Sequence, residues 1–174
     1  MIDRYALPLL RPLFQGAAER LSRLGINANQ VTLTGFALGL LAALLVAVGF
    51  AGAAIVPLVA GRALDGVDGA LARLSGETDR GAFLDISLDF IFYGAMPLAF
   101  AVHDPDANAL AAATLLAAFV GTGTSFLAFS ALAGKRGLKS AAYPDKAIYY
   151  LGGLAEGGET LVCLLAMCWW PQAF

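Results

Sequence analysis

The chain has 174 residues, of which 59% are hydrophobic and 14% charged, and its mean hydropathy is +0.74. Soluble domains average about 45–50% apolar and about 25% charged, so this composition excludes a water-soluble globule and, equally, intrinsic disorder. The formal net charge of −2 gives no general attraction to nucleic acid, and the length suits a single domain over residues 1–174.

The predicted elements are all helical. In residues 5–24, Leu9, Leu10, Leu13, Phe14, Ala17, Leu21 and Leu24 recur at helical spacing, with Arg11, Arg20 and Arg23 between them and Pro8 and Pro12 near the start. That pattern predicts an amphipathic helix lying in the membrane surface. Residues 31–49 form a charge-free run, about 28 Å long as a helix, which matches a bilayer core. Further spans are predicted at 52–73, 82–102, 107–133 and 147–170, separated by turn-forming residues at 49–52, 103–106 and 134–145. The fold class is therefore all-α, a polytopic membrane helix bundle of five spans with an N-terminal interfacial helix.

The 11 basic residues set the orientation. Arg4, Arg11, Arg20 and Arg23 precede the first span, Arg73 and Arg80 join the second to the third, and Lys135, Arg136, Lys139 and Lys146 join the fourth to the fifth. Arg62 lies inside the second span toward the same end, and the alternate connections hold no Lys or Arg. The positive-inside rule puts the N-terminus and both basic connections in the cytoplasm. That connection of Lys135, Arg136, Lys139 and Lys146 reads either as a topology signal facing anionic lipid or as a site for a phosphorylated acceptor.

Ionisable groups inside a span are costly and call for a reason. Asp65 and Asp68 are three apart, Asp85 and Asp89 four apart, so each pair shares one helix face. The short 74–81 connection makes the two helices antiparallel neighbours, and four carboxylates then converge on one pocket at the membrane–water boundary. Such a cluster cannot carry four negative charges unaided. Hard divalent cations, Mg²⁺ or Mn²⁺, resolve this with oxygen ligands, and two such ions would suit in-line displacement at a phosphate. Gly66, Gly69, Ala70 and Ala72 strip the helix beside the first pair, for close packing or for a ligand lying flat against it.

The remaining signals are weaker. Glu156 and Glu159 share one face of the fifth span, as partners of Arg62 or as acceptor-recognition groups. His103 stands beside Asp104 and Asp106 about a membrane thickness from the aspartates. Trp169 and Trp170 fit an interfacial aromatic belt, and Thr122, Thr124, Ser125 and Ser130 fit helix packing. Cys163 and Cys168 read as unpaired apolar filler. Acids within spans also fit a cation transporter, and aspartates with Mg²⁺ fit a membrane prenyltransferase. The chain has neither an internal repeat nor a second, distant aspartate motif, which leaves both readings behind the phosphate-ester enzyme.

The run Asp65-Gly-Val-Asp68-Gly69-Ala-Leu-Ala72-Arg73, followed by Gly81-Ala-Phe-Leu-Asp85-Ile-Ser-Leu-Asp89, resembles the signature of the CDP-alcohol phosphotransferases. Ile26-Asn-Ala-Asn29-Gln-Val-Thr32 is similar to that family's entry into its first span, with Ala28 where proline is usual, and residues 149–160 resemble a short bacterial branch. The five predicted spans are one fewer than the family usually has. The resemblance implies transfer of a phosphatidyl group from a CDP-linked lipid donor, such as CDP-diacylglycerol, to an alcohol acceptor, with release of CMP. It implies metal ligation by Asp65, Asp68, Asp85 and Asp89, with Asp89 also the general base. It further implies nucleotide or donor contacts from Gly69, Ala72, Arg73, Asn29, Thr32 and Gly81. Acceptor contacts are assigned to Glu156, Glu159, Lys135, Arg136 and Lys139. A homodimer in the bacterial inner membrane completes the expectation.

Overall fold

The computed structural model describes residues 3–138 and 156–174. Among them run six α-helices: α1 Asp3–Arg23, α2 Ala28–Ala47, α3 Ala51–Ser75, α4 Asp79–His103, α5 Pro105–Lys135 and α6 Gly157–Trp169, closed by a 3₁₀ turn at Pro171–Ala173. The sequence punctuates these helices with polar caps. The Asn27 side chain accepts from the Gln30 N–H at 3.0 Å while the Gln30 side chain accepts from the Asn27 N–H at 2.9 Å, a reciprocal cap at the start of α2. Gly76, at φ +95°, turns the chain out of α3, a conformation that suits a residue without a Cβ. Thr78 Oγ1 then accepts from Gly81 N–H to start α4, and Asp104 accepts from Ala107 N–H to start α5.

The connections sort to two ends. The His103 ring lies 3.0 Å from where a Cβ on Gly49 would stand, so the α2–α3 and α4–α5 turns meet. Phe100 stacks on Phe174 with ring centroids 4.4 Å apart, which brings the C-terminus to this end as well. The α1–α2 and α3–α4 connections, with Arg23, Arg73 and Arg80, occupy the opposite end. His103 is therefore remote from the aspartates, as expected.

α3 packs along α2, α2 along α4, α4 along α5, and α1 and α6 both against α3. Without water to drive helices together, close backbone approach supplies the cohesion. At the α2–α3 crossing a Cβ on Gly61 would stand 2.8 Å from the Gly35 carbonyl oxygen, so the two glycines let the backbones touch. The core beyond this crossing comprises Ala42, Val46, Ala54, Leu58, Phe92, Met96, Phe100, Leu164 and Cys168. Cys168 is buried there and Cys163 is exposed, each a free thiol, as filler residues would be.

α2, α4 and α5 are long and apolar enough to cross a membrane, and with α2 packed between α3 and α4 the molecule is a polytopic membrane bundle. Leu40, Leu44, Val56, Val59, Leu98, Val102, Leu110 and Val120 line its exposed faces, a surface suited to lipid. α3, over the predicted span 52–73, carries Arg62, Asp65, Asp68 and Arg73 and is therefore less apolar than α2, α4 and α5. The described part of the fifth predicted span is the 13-residue α6; its earlier portion lies outside the described residues.

Two expectations change in detail. The apolar residues of α1 face two ways: Leu9 and Leu13 are 77% and 69% exposed, as is Leu24 just beyond the helix at 74%, whereas Phe14, Ala17 and Leu21 pack with the buried Ala18 on Val67, Ala70 and Leu71 of α3. The helix is thus anchored to the bundle by one stripe and leaves the other for the membrane surface. Glu156 does not sit inside a continuous helix; it is the N-cap of α6, and its N–H donates to the Glu159 carboxylate at 3.1 Å. The Gly157-Gly158 pair that follows it marks the start of the helix rather than its middle.

Candidate metal centre

α2 and α4 begin, and α3 ends, at the same end of the bundle, so the terminal turns of three helices converge. Because α3 runs toward this end and α4 away from it, Arg62 and Asp89 are the deeper residues, and Asp68 and Asp85 the shallower ones. Asp65, Asp68 and Asp85 each place a carboxylate oxygen within 4.8 Å of the other two. Asp68 is 4% exposed, and its Oδ2 has no hydrogen-bond partner among the described residues. A buried, unsatisfied polar group costs about 1–3 kcal/mol, more when it is charged, so this oxygen calls for a cation.

Asp89 stands apart from that trio. Its Oδ1 accepts from Arg62 Nη1 at 2.6 Å, and the same Nη1 lies 3.6 Å from Asp65 Oδ1. The guanidinium sits over the Phe92 ring at 4.7 Å and the Tyr93 ring at 5.8 Å, a cation–π arrangement that fixes its plane. Arg62 is thus partnered by Asp65 and Asp89, not by Glu156 as one reading of the sequence had it. The cleft above this pair is walled by Thr32, Gly35, Phe36, Gly61, Asp85 and Leu88.

Other site candidates fall into place around the trio. Thr32 donates to the Ala28 carbonyl at 3.0 Å and lies beside the Asp68 carboxylate. A Cβ on Gly81 would stand 3.3 Å from Asn29 Oδ1, which brings the start of α2 against the start of α4. Among the described residues only the Arg73 guanidinium is near Gly69, 3.5 Å from a Cβ placed there, and Ala72 is half-buried. Gly66 and Ala70 are different: the Phe14 ring covers Gly66, and Ala70 is 3% exposed within the α1–α3 contact. Close packing explains those two, so among the described residues the Gly69–Ala72 part of the small-residue face is the part left uncovered.

Glu156 and Glu159 do not line the cleft, and both cap α6 instead. Lys135 and Arg136 are exposed at the end of α5, whereas Lys139 and Lys146 lie outside the described residues. Thr122, Thr124 and Ser125 donate to carbonyls of their own helix, those of Ala118, Val120 and Thr122. The sequence reading missed the partnership of Arg62 with Asp89. The one available signal was their common depth, each one turn further from the shared end than its neighbouring aspartate.

Three hard oxygen donors this close, one of them buried and unsatisfied, fit a divalent cation with oxygen preference. A helical membrane bundle that opens such a centre at one end of its spans defines an integral membrane enzyme directed at phosphate groups. The sequence pattern of the CDP-alcohol phosphatidyltransferase family matches residues 26–169, and the chain belongs to that family. It is 48% identical over 174 residues to the inner membrane protein YnjF of Escherichia coli, a match covering 100% of this chain and 84% of that one. It is also 38% identical over 88 residues to the archaetidylinositol phosphate synthase of Pyrococcus horikoshii, covering 48% of this chain and 47% of that one. No solved structure matches it. Family membership makes the protein a transferase of phosphate-containing groups acting on a CDP-linked substrate and an alcohol, and it removes the transporter and prenyltransferase readings.

Proposed function

We propose that the protein transfers a phosphatidyl group from a CDP-linked lipid, CDP-diacylglycerol being the simplest donor, to an alcohol acceptor, with release of CMP. The observation that carries this reading is the convergence of Asp65, Asp68 and Asp85 beside the open Gly69–Ala72 surface. In this reading Asp65, Asp68 and Asp85 hold Mg²⁺ or Mn²⁺, which when bound neutralises charge on the donor's diphosphate. Gly69 and Ala72 give the cytidine a flat seat, and Arg73, Asn29, Thr32 and Gly81 border the diphosphate.

Asp89 acts on the acceptor. Its Oδ1 is taken by Arg62, which leaves Oδ2 to receive the proton of the acceptor hydroxyl. The hydroxyl oxygen forms a bond to the lipid-bearing phosphorus as the bond from that phosphorus to the oxygen bridging to CMP breaks, and CMP leaves with the electron pair. The shallow position of the trio matches a headgroup reaction, and the basic residues at that end support a cytoplasmic site in the bacterial inner membrane, in keeping with the name of the YnjF relative. A phosphorylated polyol, as in the name of the archaeal relative, suits the exposed Lys135 and Arg136, with Lys139, Glu156 and Glu159 as further acceptor contacts. The outer faces of α5, little buried along its 31 residues, offer a surface for a second copy in a homodimer.

The test is CMP release by the purified protein in detergent, with CDP-diacylglycerol and a panel of free and phosphorylated alcohols. CMP should appear with at least one acceptor, vanish with EDTA, and return on addition of Mg²⁺ or Mn²⁺. Asp89→Asn should lower kcat at least on the order of 100-fold, the lower end of the range for loss of a general base. Activity indifferent to both the chelator and this substitution would contradict the reading.

A further inference from the structure

We propose that Arg62 is a resident cation of this site, a positioning residue that holds Asp89 outside the three-carboxylate cluster and limits the substrate-free protein to one tightly bound divalent ion. The inference rests on the metal-centre reading above and deepens it. Four carboxylates on two facing helices would ordinarily suit two ions. Here the deeper half of the cluster already has its positive charge: Arg62 Nη1 lies 2.6 Å from Asp89 Oδ1 and 3.6 Å from Asp65 Oδ1.

The guanidinium is built in rather than loosely parked. Its side chain is 13% exposed, its face rests on Phe92 and is backed by Tyr93, and Phe92 belongs to the bundle core. An ion that took Asp89 Oδ1 from it would strand a buried charge, which is strongly unfavourable. Charge balance points the same way. One divalent ion on Asp65, Asp68 and Asp85 together with Arg62 leaves a single net negative charge on the four aspartates, whereas a second ion would make the site net positive before any substrate phosphate arrives. The planar fork of arginine suits this place, between a carboxylate and an aromatic face. The expected count of two therefore falls to one in the absence of substrate.

Mn²⁺ binding to the full-length protein in detergent, without nucleotide, tests this by calorimetry and by loss of the free-ion electron paramagnetic resonance signal. The wild-type protein should bind one tight ion, Arg62→Met two, and Arg62→Lys one, since lysine restores the charge. Asp89→Asn should keep the single tight ion, and Asp68→Asn should lose it. Two tight ions in the wild type, an unchanged count in Arg62→Met, or loss of the ion in Asp89→Asn would overturn the inference. Should Arg62→Met not fold, the Asp89→Asn result alone decides between the two. No Mn²⁺ on any form would instead overturn the metal-centre reading, and this inference with it.

Discussion

Replacing Asp68 with asparagine is expected to cut CMP release about 100-fold or more while leaving the protein as stable as before, or more so. The activity estimate follows from coordination chemistry. Groups that merely orient metal ligands are worth about 10–100-fold in affinity or activity, so a ligand at the centre of the trio should be worth at least the upper figure. The stability estimate follows from burial. Asp68 Oδ2 is enclosed without a hydrogen-bond partner among the described residues, and a neutral isostere relieves that penalty in the ion-free protein. Initial rates with CDP-diacylglycerol and thermal unfolding in detergent with EDTA measure the two halves separately. Loss of activity in step with loss of stability would make Asp68 a structural residue and would count against its role as a ligand.

The second large effect concerns the scaffold. Gly61→Val should lower unfolding stability by about 3 kcal/mol, the upper part of the usual range for overpacking, and should abolish transfer activity as well. Even a single added methyl would meet the Gly35 carbonyl oxygen at 2.8 Å and the Gly39 nitrogen at 3.4 Å. These are backbone atoms of α2 and cannot swing aside as a side chain could, so α2 and α3 must separate. Arg62 and Asp65 follow Gly61 on the same helix, so the separation displaces the deep half of the site. Gly52→Ala, where nothing lies within 4 Å, is the control and should unfold as the wild type does. A Gly61→Val protein with unchanged melting and activity would show that the α2–α3 crossing is looser than described.

Much of this was legible in the sequence because membrane chemistry leaves few options. The charge-free stretch beginning at Val31 and the segregation of lysine and arginine give spans and connections, and the three- and four-residue spacings of Asp65, Asp68, Asp85 and Asp89 give faces. The short connection between α3 and α4 returns the chain to the same end, although the two helices meet less as direct neighbours than through α2, which packs on both. Spacing could not say how the four divide, because that depends on which carboxylate the guanidinium of Arg62 reaches. The aromatic seat formed by Phe92 and Tyr93 of α4 settles it, and Arg62 reaches that seat only once α3 and α4 have both packed on α2.

The small residues posed a related difficulty. Gly66, Gly69, Ala70 and Ala72 read alike as letters, yet α1 covers Gly66 through Phe14 and encloses Ala70, leaving Gly69 and Ala72 half-buried and uncovered by α1. The covering helix is recognisable by its amphipathic pattern, but the face of α3 on which it lies is set by tertiary packing. Glu156 was misplaced for a local reason. The apolar residues on both sides of it suggested one uninterrupted span, and the glycine pair after it carried the signal for a helix start.

Anomalous diffraction from crystals of the full-length protein grown with Mn²⁺ tests the central claim most directly. The account predicts a manganese peak bounded by the carboxylates of Asp65, Asp68 and Asp85, at oxygen distances of about 2.0–2.3 Å. A crystal saturated with Mn²⁺ that shows no peak there, or shows those three side chains bonded only to protein groups, would contradict it.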